Sequence, residues 1–224
     1  MCGRFVRVSP YVIIAESFGL EKHASGNAVE CAERFNIAPG QEIAAVISGP
    51  AGRNLEFFHW GLVPAWSRDN KKGIINARAE TAALKPGFRD AFRRRRCLII
   101  ADGFYEWLRG KAKKPFYITL REGRPFGMAG IYETSLREGV QRATCAILTV
   151  AANSLVEQCH DRMPAIIPRD KEDMWLNPEA DSRVLGEILK PYPAGLMEMH
   201  EVSAFVNSPR FDSPRCIEPL ALTT

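Results

Sequence analysis

Through the first two-thirds of the chain, apolar residues come in short runs that alternate with polar ones, each cut off by Gly, Pro or charged turn residues. Short apolar runs bounded in this way are the signature of strands. The pattern predicts strands over residues 43–48, 55–60, 97–101, 104–108, 116–120, 126–132 and 145–151, with a last one over 201–206. Helical spacing appears over 10–20, where Ser9 and Pro10 offer a cap and a first-turn proline, and again over 79–84, 88–93, 154–159 (capped by Asn153), 171–176 and 182–189. Regular βαβ alternation is absent, as are internal repeats, low-complexity tracts and long linkers. The expected fold is α+β: a single domain over residues 1–224 with a largely antiparallel, barrel-like β-sheet framed by short helices.

With 224 residues, 46% hydrophobic and 25% charged, the chain has the composition of a folded globular domain and not of a disordered one. The net charge of +4 leans toward an anionic partner. Four arginines, Arg4, Arg34, Arg78 and Arg162, fall inside unusual local motifs. The run Arg93-Arg94-Arg95-Arg96 stands apart and reads as a solvated helix end, with a phosphate backbone as its other reading. No apolar run approaches the roughly 18 residues of a membrane span, and the start of the chain lacks a signal-peptide pattern. A cytoplasmic setting without a membrane partner is expected, at the nucleoid if the source is bacterial. Six dispersed cysteines with no C-x-x-C pair argue against a zinc ribbon or a disulfide framework. Five of them read as core residues, and no metal or cofactor is expected.

The sixth, Cys2, has a chemistry of its own. Its small side chain permits removal of Met1, which would leave an α-amine and a thiol on adjacent carbons. An aldehyde condenses with such an amine to an imine, and the neighbouring sulfur closes a five-membered thiazolidine. An ordinary amine pKa of about 7.7–8.0 leaves some free base near neutrality.

Other clusters supply candidate companions. In Asn76-Ala77-Arg78-Ala79-Glu80, Asn76 can both donate and accept, and Arg78 presents a planar fork suited to phosphate; a capping asparagine beside a surface arginine is the alternative. Glu106 lies between Tyr105 and Trp107 in a strand-like run, where desolvation would raise its pKa and suit it to proton transfer; an outward-facing strand glutamate is the alternative. His160 lies in Cys159-His160-Asp161-Arg162-Met163-Pro164 and has a near-neutral pKa for acid–base work, with Arg162 as a phosphate ligand. His23, His59 and His200 read as structural. Trp66, in Trp60-Gly61-Leu62-Val63-Pro64-Ala65-Trp66, offers a stacking platform, whereas Trp60 reads as core. Arg34-Phe35-Asn36-Ile37-Ala38-Pro39-Gly40 reads as a surface turn or the wall of a groove.

Taken in order, Cys2-Gly3-Arg4-Phe5, Asn36-Ile37-Ala38-Pro39, Trp60-Gly61 with Pro64 and Trp66, Asn76-Ala77-Arg78-Ala79-Glu80, Gly103-Phe104-Tyr105-Glu106-Trp107 and His160-Asp161-Arg162-Met163-Pro164 closely resemble the SRAP family, the SOS-response-associated peptidases viewed as abasic-site processing proteins. The resemblance runs from residue 2 to about 164. It implies a monomer that binds single-stranded DNA containing abasic sites, with Cys2 forming a covalent thiazolidine crosslink and Asn76, Glu106 and His160 as catalytic companions. It further implies lyase-type chemistry at the lesion and autocatalytic removal of Met1. Arg4, Arg78 and Arg162 would hold flanking phosphates, Asn36 and Pro39 would line the DNA groove, and Trp66 would stack on a base. Some members carry a second aromatic directly after this tryptophan, where this chain has Ser67. Two rival functions remain at this stage: a Cys-His peptidase acting on other proteins, and a noncovalent single-strand-binding module.

Overall fold

The computed structural model describes residues 2–20, 31–50, 52–67, 73–110, 114–137 and 140–220. Met1 and His23, on which two of the readings above fall, lie outside them. The strands are β1 (Phe5–Arg7), β2 (Arg34–Ile37), β3 (Glu42–Gly49), β4 (Gly52–Trp60), β5 (Asn76–Arg78), β6 (Arg96–Ala101), β7 (Gly103–Trp107), β8 (Pro115–Leu120), β9 (Phe126–Arg137), β10 (Val140–Ala151), β11 (Arg162–Pro164), β12 (Ile166–Ile167) and β13 (Met197–Glu201). The helices are α1 (Tyr11–Phe18), α2 (Ala79–Ala82), α3 (Arg89–Arg94), α4 (Glu172–Leu176) and α5 (Ser182–Ile188), joined by short 3₁₀ turns.

Five strands close into a barrel. β10 pairs with β4, β4 with β3, β3 with β6, β6 with β9, and β9 returns to β10 along residues 140–147. Only the β10–β4 contact of this ring is parallel. Closure leaves no open edge within the ring. A second, fully antiparallel sheet runs β13-β8-β7-β1-β2. The architecture is thus mixed α/β, with a closed barrel, an added sheet and few helices, as the alternating pattern predicts.

The shortest connection between the two sheets is a single residue. β6 ends at Ala101 and β7 begins at Gly103, so the chain passes from barrel to second sheet through Asp102. The Asp102 carboxylate accepts from the Val8 and Ser9 backbone N–H groups and from the Ser9 hydroxyl, while its carbonyl accepts from the Thr119 hydroxyl at 2.6 Å. Gly103 must be glycine, because a Cβ there would lie 2.4 Å from the Tyr117 ring.

Strand alternation on β7 then divides its side chains between two cores. Phe104 packs into the main core, which includes Cys2, Phe5 and Trp60, whereas Tyr105 packs with Val6, Phe35, Val206 and Cys216 in a smaller one. Glu106, one residue on, faces the same side as Phe104. The outward-facing alternative is therefore wrong for this residue, which is 3% exposed.

Departures from the sequence-based expectation cluster at the ends of elements. The strand expected over 201–206 lies earlier, as β13, and residues 204–207 form a 3₁₀ turn capped by the Ser203 hydroxyl. The helix expected over 154–159 is a single 3₁₀ turn, Val156–Gln158. The run at 93–96 is not uniformly solvated: Arg96 is 3% exposed and donates to the carbonyls of Trp175, Phe92, Arg93 and Asn177. All six cysteines are buried, Cys2 included. Among the described residues no helix is long and apolar enough to cross a membrane.

Candidate active site

The N-terminal strand carries Cys2 to Glu106 by simple register. Phe5 pairs with Phe104, and the Tyr105 N–H donates to the Arg4 carbonyl at 2.9 Å. Because the strands are antiparallel, continuing the register sets Gly3 opposite Glu106 and Cys2 opposite Trp107. From the other side, β5 pairs in parallel with β10, Asn76 opposite Ile147, and the Asn76 Nδ2 donates to the Cys2 carbonyl at 2.7 Å. Asn76 Oδ1 is buried and accepts from no group among the described residues. β11 pairs with the same end of β10, Arg162 opposite Ala151, which brings His160 in just ahead of that strand.

Cys2, Asn76, Glu106 and His160 are thereby drawn from four separate stretches of chain to one end of the barrel. Glu106 and His160 share a cavity of about 630 Å³ with Trp107, Arg109 and Asn207.

Burial sets the protonation states here. It pushes the Glu106 carboxyl up to about 7, with the positive charge of the chain's amino terminus pulling the other way. Burial raises the Cys2 thiol far above the ordinary thiol range, and the Glu106 charge adds to this. Its Sγ lies 3.9 Å from the Arg4 carbonyl. The thiol is therefore protonated near neutrality and is not a ready thiolate nucleophile.

His160 is held below its usual pKa by burial and then by the charge of the amino terminus. Its Nδ1 accepts from the Arg162 backbone N–H at 2.9 Å. Asp161 Oδ1 also lies 2.9 Å from Nδ1, a contact that would require a proton on that nitrogen. The backbone donor already uses the Nδ1 lone pair, and the lowered pKa favours the neutral ring, which leaves the hydrogen on Nε2.

The residues expected to touch DNA divide into two groups. Trp66 is 71% exposed, and Pro39 and Arg78 are exposed as well. Arg162 is less free: Nη1 and Nη2 reach Glu80 at 2.7 and 2.8 Å, and Nη2 also meets the Thr149 carbonyl. Arg4 donates through Nη1 to Asn36 Oδ1 at 2.7 Å and to the Val206 carbonyl at 2.6 Å. Asn36 is fully buried, and its Nδ2 meets the carbonyls of Val206, Ser208 and Phe211. It differs from the expected groove residue because its amide is spent fastening the C-terminal segment.

That segment is also where sequence reasoning missed a participant. Asn207 reaches the cavity and accepts from Trp107 Nε1 at 2.6 Å. Arg109, which lines the cavity and pairs with Asp161 at 2.9 Å, was missed as well. Nothing in the local sequence marks Asn207 or Arg109, since each acquires its place through long-range packing.

A family model described as SOS response associated peptidase (SRAP) matches residues 1–209. The chain belongs to the SRAP family. Among SRAP relatives, it is 42% identical to "Abasic site processing protein YoqW" of Bacillus subtilis (strain 168), over 97% of this chain and 99% of that one. It is 30% identical to "Abasic site processing protein YedK" of Escherichia coli (strain K12), over 98% and 100%. A crystal structure of a Bacteroides thetaiotaomicron protein superposes with a TM-score of 0.88 at 26% identity, covering 98% of this chain and all of the other. The SRAP match takes in every catalytic candidate above and reaches Asn207.

Proposed function

We propose that this protein processes abasic sites in single-stranded DNA by capturing the ring-opened sugar on Cys2 as a covalent thiazolidine. The observation that carries the reading is the convergence of Asn76 and Glu106 on the first residues of the chain, with the Asn76 amide 2.7 Å from the Cys2 carbonyl. The names of the SRAP relatives support the substrate class.

Once Met1 is removed, the reaction runs in balanced steps. Glu106, with a pKa near 7, is well suited to take the proton from the sugar's C1′ hydroxyl and return one to the ring oxygen, opening the sugar to its aldehyde. The Cys2 amine adds to C1′, and loss of one water gives the imine. The Cys2 sulfur then adds to the imine carbon while its proton passes to nitrogen, closing the ring. The proton that leaves with the water comes from the Glu106 carboxylic acid, which regains one from the nitrogen, while neutral His160 donates a hydrogen bond through Nε2–H to the departing oxygen. Ring closure removes the imine before β-elimination can cut the strand, so the lesion is shielded.

The protonated, buried thiol favours this order over the peptidase reading. A Cys-His peptidase needs a thiolate as first nucleophile, whereas here the amine attacks first and the sulfur follows. Autocatalytic excision of Met1 belongs to the same proposal, with Glu106 and His160 as its acid–base groups.

The test is to incubate Cys2→Ser with a single-stranded abasic oligonucleotide. The variant keeps the amine and lacks sulfur, so it should give an adduct that borohydride traps but heating destroys, while the native chain gives a heat-stable one. A heat-stable adduct of equal yield from Cys2→Ser refutes the thiazolidine.

A further inference from the structure

A second cleft, of about 440 Å³, lies between the turn that carries Trp66 and the C-terminal end of α3. Pro64, Trp66, Arg93 and Arg94 line it, together with two carboxylates, Asp90 and Glu133. Both carboxylates face arginines: Glu133 meets Arg95 at 2.8 Å, and Asp90 lies 3.5 Å from Arg89. Arg93 and Arg94 are exposed and meet no carboxylate among the described residues.

A helix end attracts cations, so two arginines in the last turn of α3 need no ligand by themselves. Here, however, the neighbouring Arg96 already does that work. Its buried guanidinium takes the carbonyls of Phe92 and Arg93 and ties the helix end to Trp175 and Asn177. The side chains of Arg93 and Arg94 are left over, projecting from a helix end that is pinned in place.

The opposite wall is held as well. Leu62, four residues before Trp66, is anchored by a bridge to Ile74. There Gly61 and Gly73 approach so closely that a Cβ on Gly73 would fall 2.1 Å from the Gly61 carbonyl oxygen. Ile74 is two residues from Asn76. At about 3.5 Å per residue, Trp66 is within roughly 14 Å of Leu62, a span of a few nucleotides. An exposed indole facing two unpaired guanidinium groups matches the base-and-phosphate repeat of a nucleic acid strand better than it matches an acidic peptide.

Stacking of a base on Trp66 is what the SRAP resemblance implies; we infer that Arg93 and Arg94, across the same cleft, extend that contact by holding the phosphates of a nucleotide that flanks the lesion. The inference rests on the reading of the protein as a single-strand DNA binder and extends it with two arginines outside the covalent site.

The experiment uses the full-length protein and a fluorescein-labelled oligothymidylate without any abasic site, so its outcome is independent of whether Cys2 reacts. Two phosphate contacts at about 0.7 each in log–log salt slope should make Arg93→Ala/Arg94→Ala bind about 25-fold more weakly at 0.1 M salt, with a slope shallower by about 1.4. Arg93→Glu/Arg94→Glu should bind more weakly still. Oligothymidylate should quench tryptophan fluorescence in the native chain and not in Trp66→Ala, and labelled polyglutamate should not quench it. Unchanged affinity and salt slope in both double variants overturn the inference. So does equal loss of polyglutamate binding, which would mark the cleft as a general anion surface.

Discussion

Asn76 holds the carbonyl of Cys2 through its Nδ2 at 2.7 Å, while its own Oδ1 is buried and accepts from nothing among the described residues. One side of the amide fixes the backbone of the reacting residue, and the other is an acceptor available to an amine hydrogen on the same residue. Asn76→Ala removes both and should slow single-turnover crosslinking about 100-fold, the scale on which loss of orientation acts. Asn76→Asp keeps an acceptor and loses the donor, so it should fall between the two. The measurement is the time course of a denaturation-resistant band; an alanine variant at the native rate would remove Asn76 from the site.

Glu106 makes the activity and the stability depend on pH in opposite directions. Its folded pKa of about 7 exceeds the ordinary 4.5, so the native state keeps a proton that the unfolded chain gives up. Folding stability from this group is therefore present below about pH 4.5 and is lost as pH rises toward 7. The loss amounts to roughly 3 kcal/mol if the whole shift is expressed. Glu106→Gln should unfold at higher denaturant than the native chain at pH 8, with the difference vanishing near pH 4. Its crosslinking should be slow at every pH, whereas the native rate should rise through pH 7 as the carboxylate forms. A native rate that is flat from pH 5 to 8 contradicts this role.

Glu80 competes with phosphate for Arg162. The bidentate pair holds the Glu80 carboxyl below its usual range, but Glu80 is half exposed, so the pair adds at most about 1 kcal/mol to stability. Glu80→Ala should leave the fold intact and tighten noncovalent binding of single strands several-fold by freeing the guanidinium, whereas Arg162→Ala should weaken it. Fluorescence anisotropy at fixed salt reads both. Weaker binding by Glu80→Ala would assign the ion pair a purely architectural role.

Asn36 is predicted to matter for folding. Its amide serves three carbonyls of the C-terminal segment and accepts from Arg4, and truncation would leave these groups unpaired in the interior. Asn36→Ala should lower the unfolding free energy by about 2–4 kcal/mol in urea and expose the segment after Val202 to proteolysis. Native stability in this variant would restore Asn36 to the list of groove residues.

The legible parts of this protein are those whose signal is local. Strands with a sustained apolar run bounded by turn residues, such as β3, β4, β6 and β9, are evident, as are the residues whose chemistry is unusual in any context, above all Cys2. Strands of two to four residues, β1, β2, β5, β11 and β12, are not, because too few positions alternate to distinguish them from loop. Those short strands are the ones that build the site: β1 delivers Cys2, β5 delivers Asn76 and β11 orders the backbone after His160. The reading of the run at 93–96 as a solvated helix end holds at Arg93 and Arg94 and fails at Arg96, since whether an arginine faces water or four carbonyls depends on where α4 packs, and Trp175 lies far along the chain. The closing contribution of Val206 and Asn207 is likewise a property of chain return, invisible at their own positions.

The most direct measurement is the intact mass of the purified protein before and after reaction with a single-stranded abasic oligonucleotide. Before reaction the mass should correspond to the chain without Met1. Afterwards it should equal that mass plus the oligonucleotide minus one water, with the modified peptide mapping to Cys2. A chain that retains Met1 or carries an acetyl group on Cys2 and still forms the adduct, or an adduct on any residue other than Cys2, would contradict capture by the terminal amine and thiol.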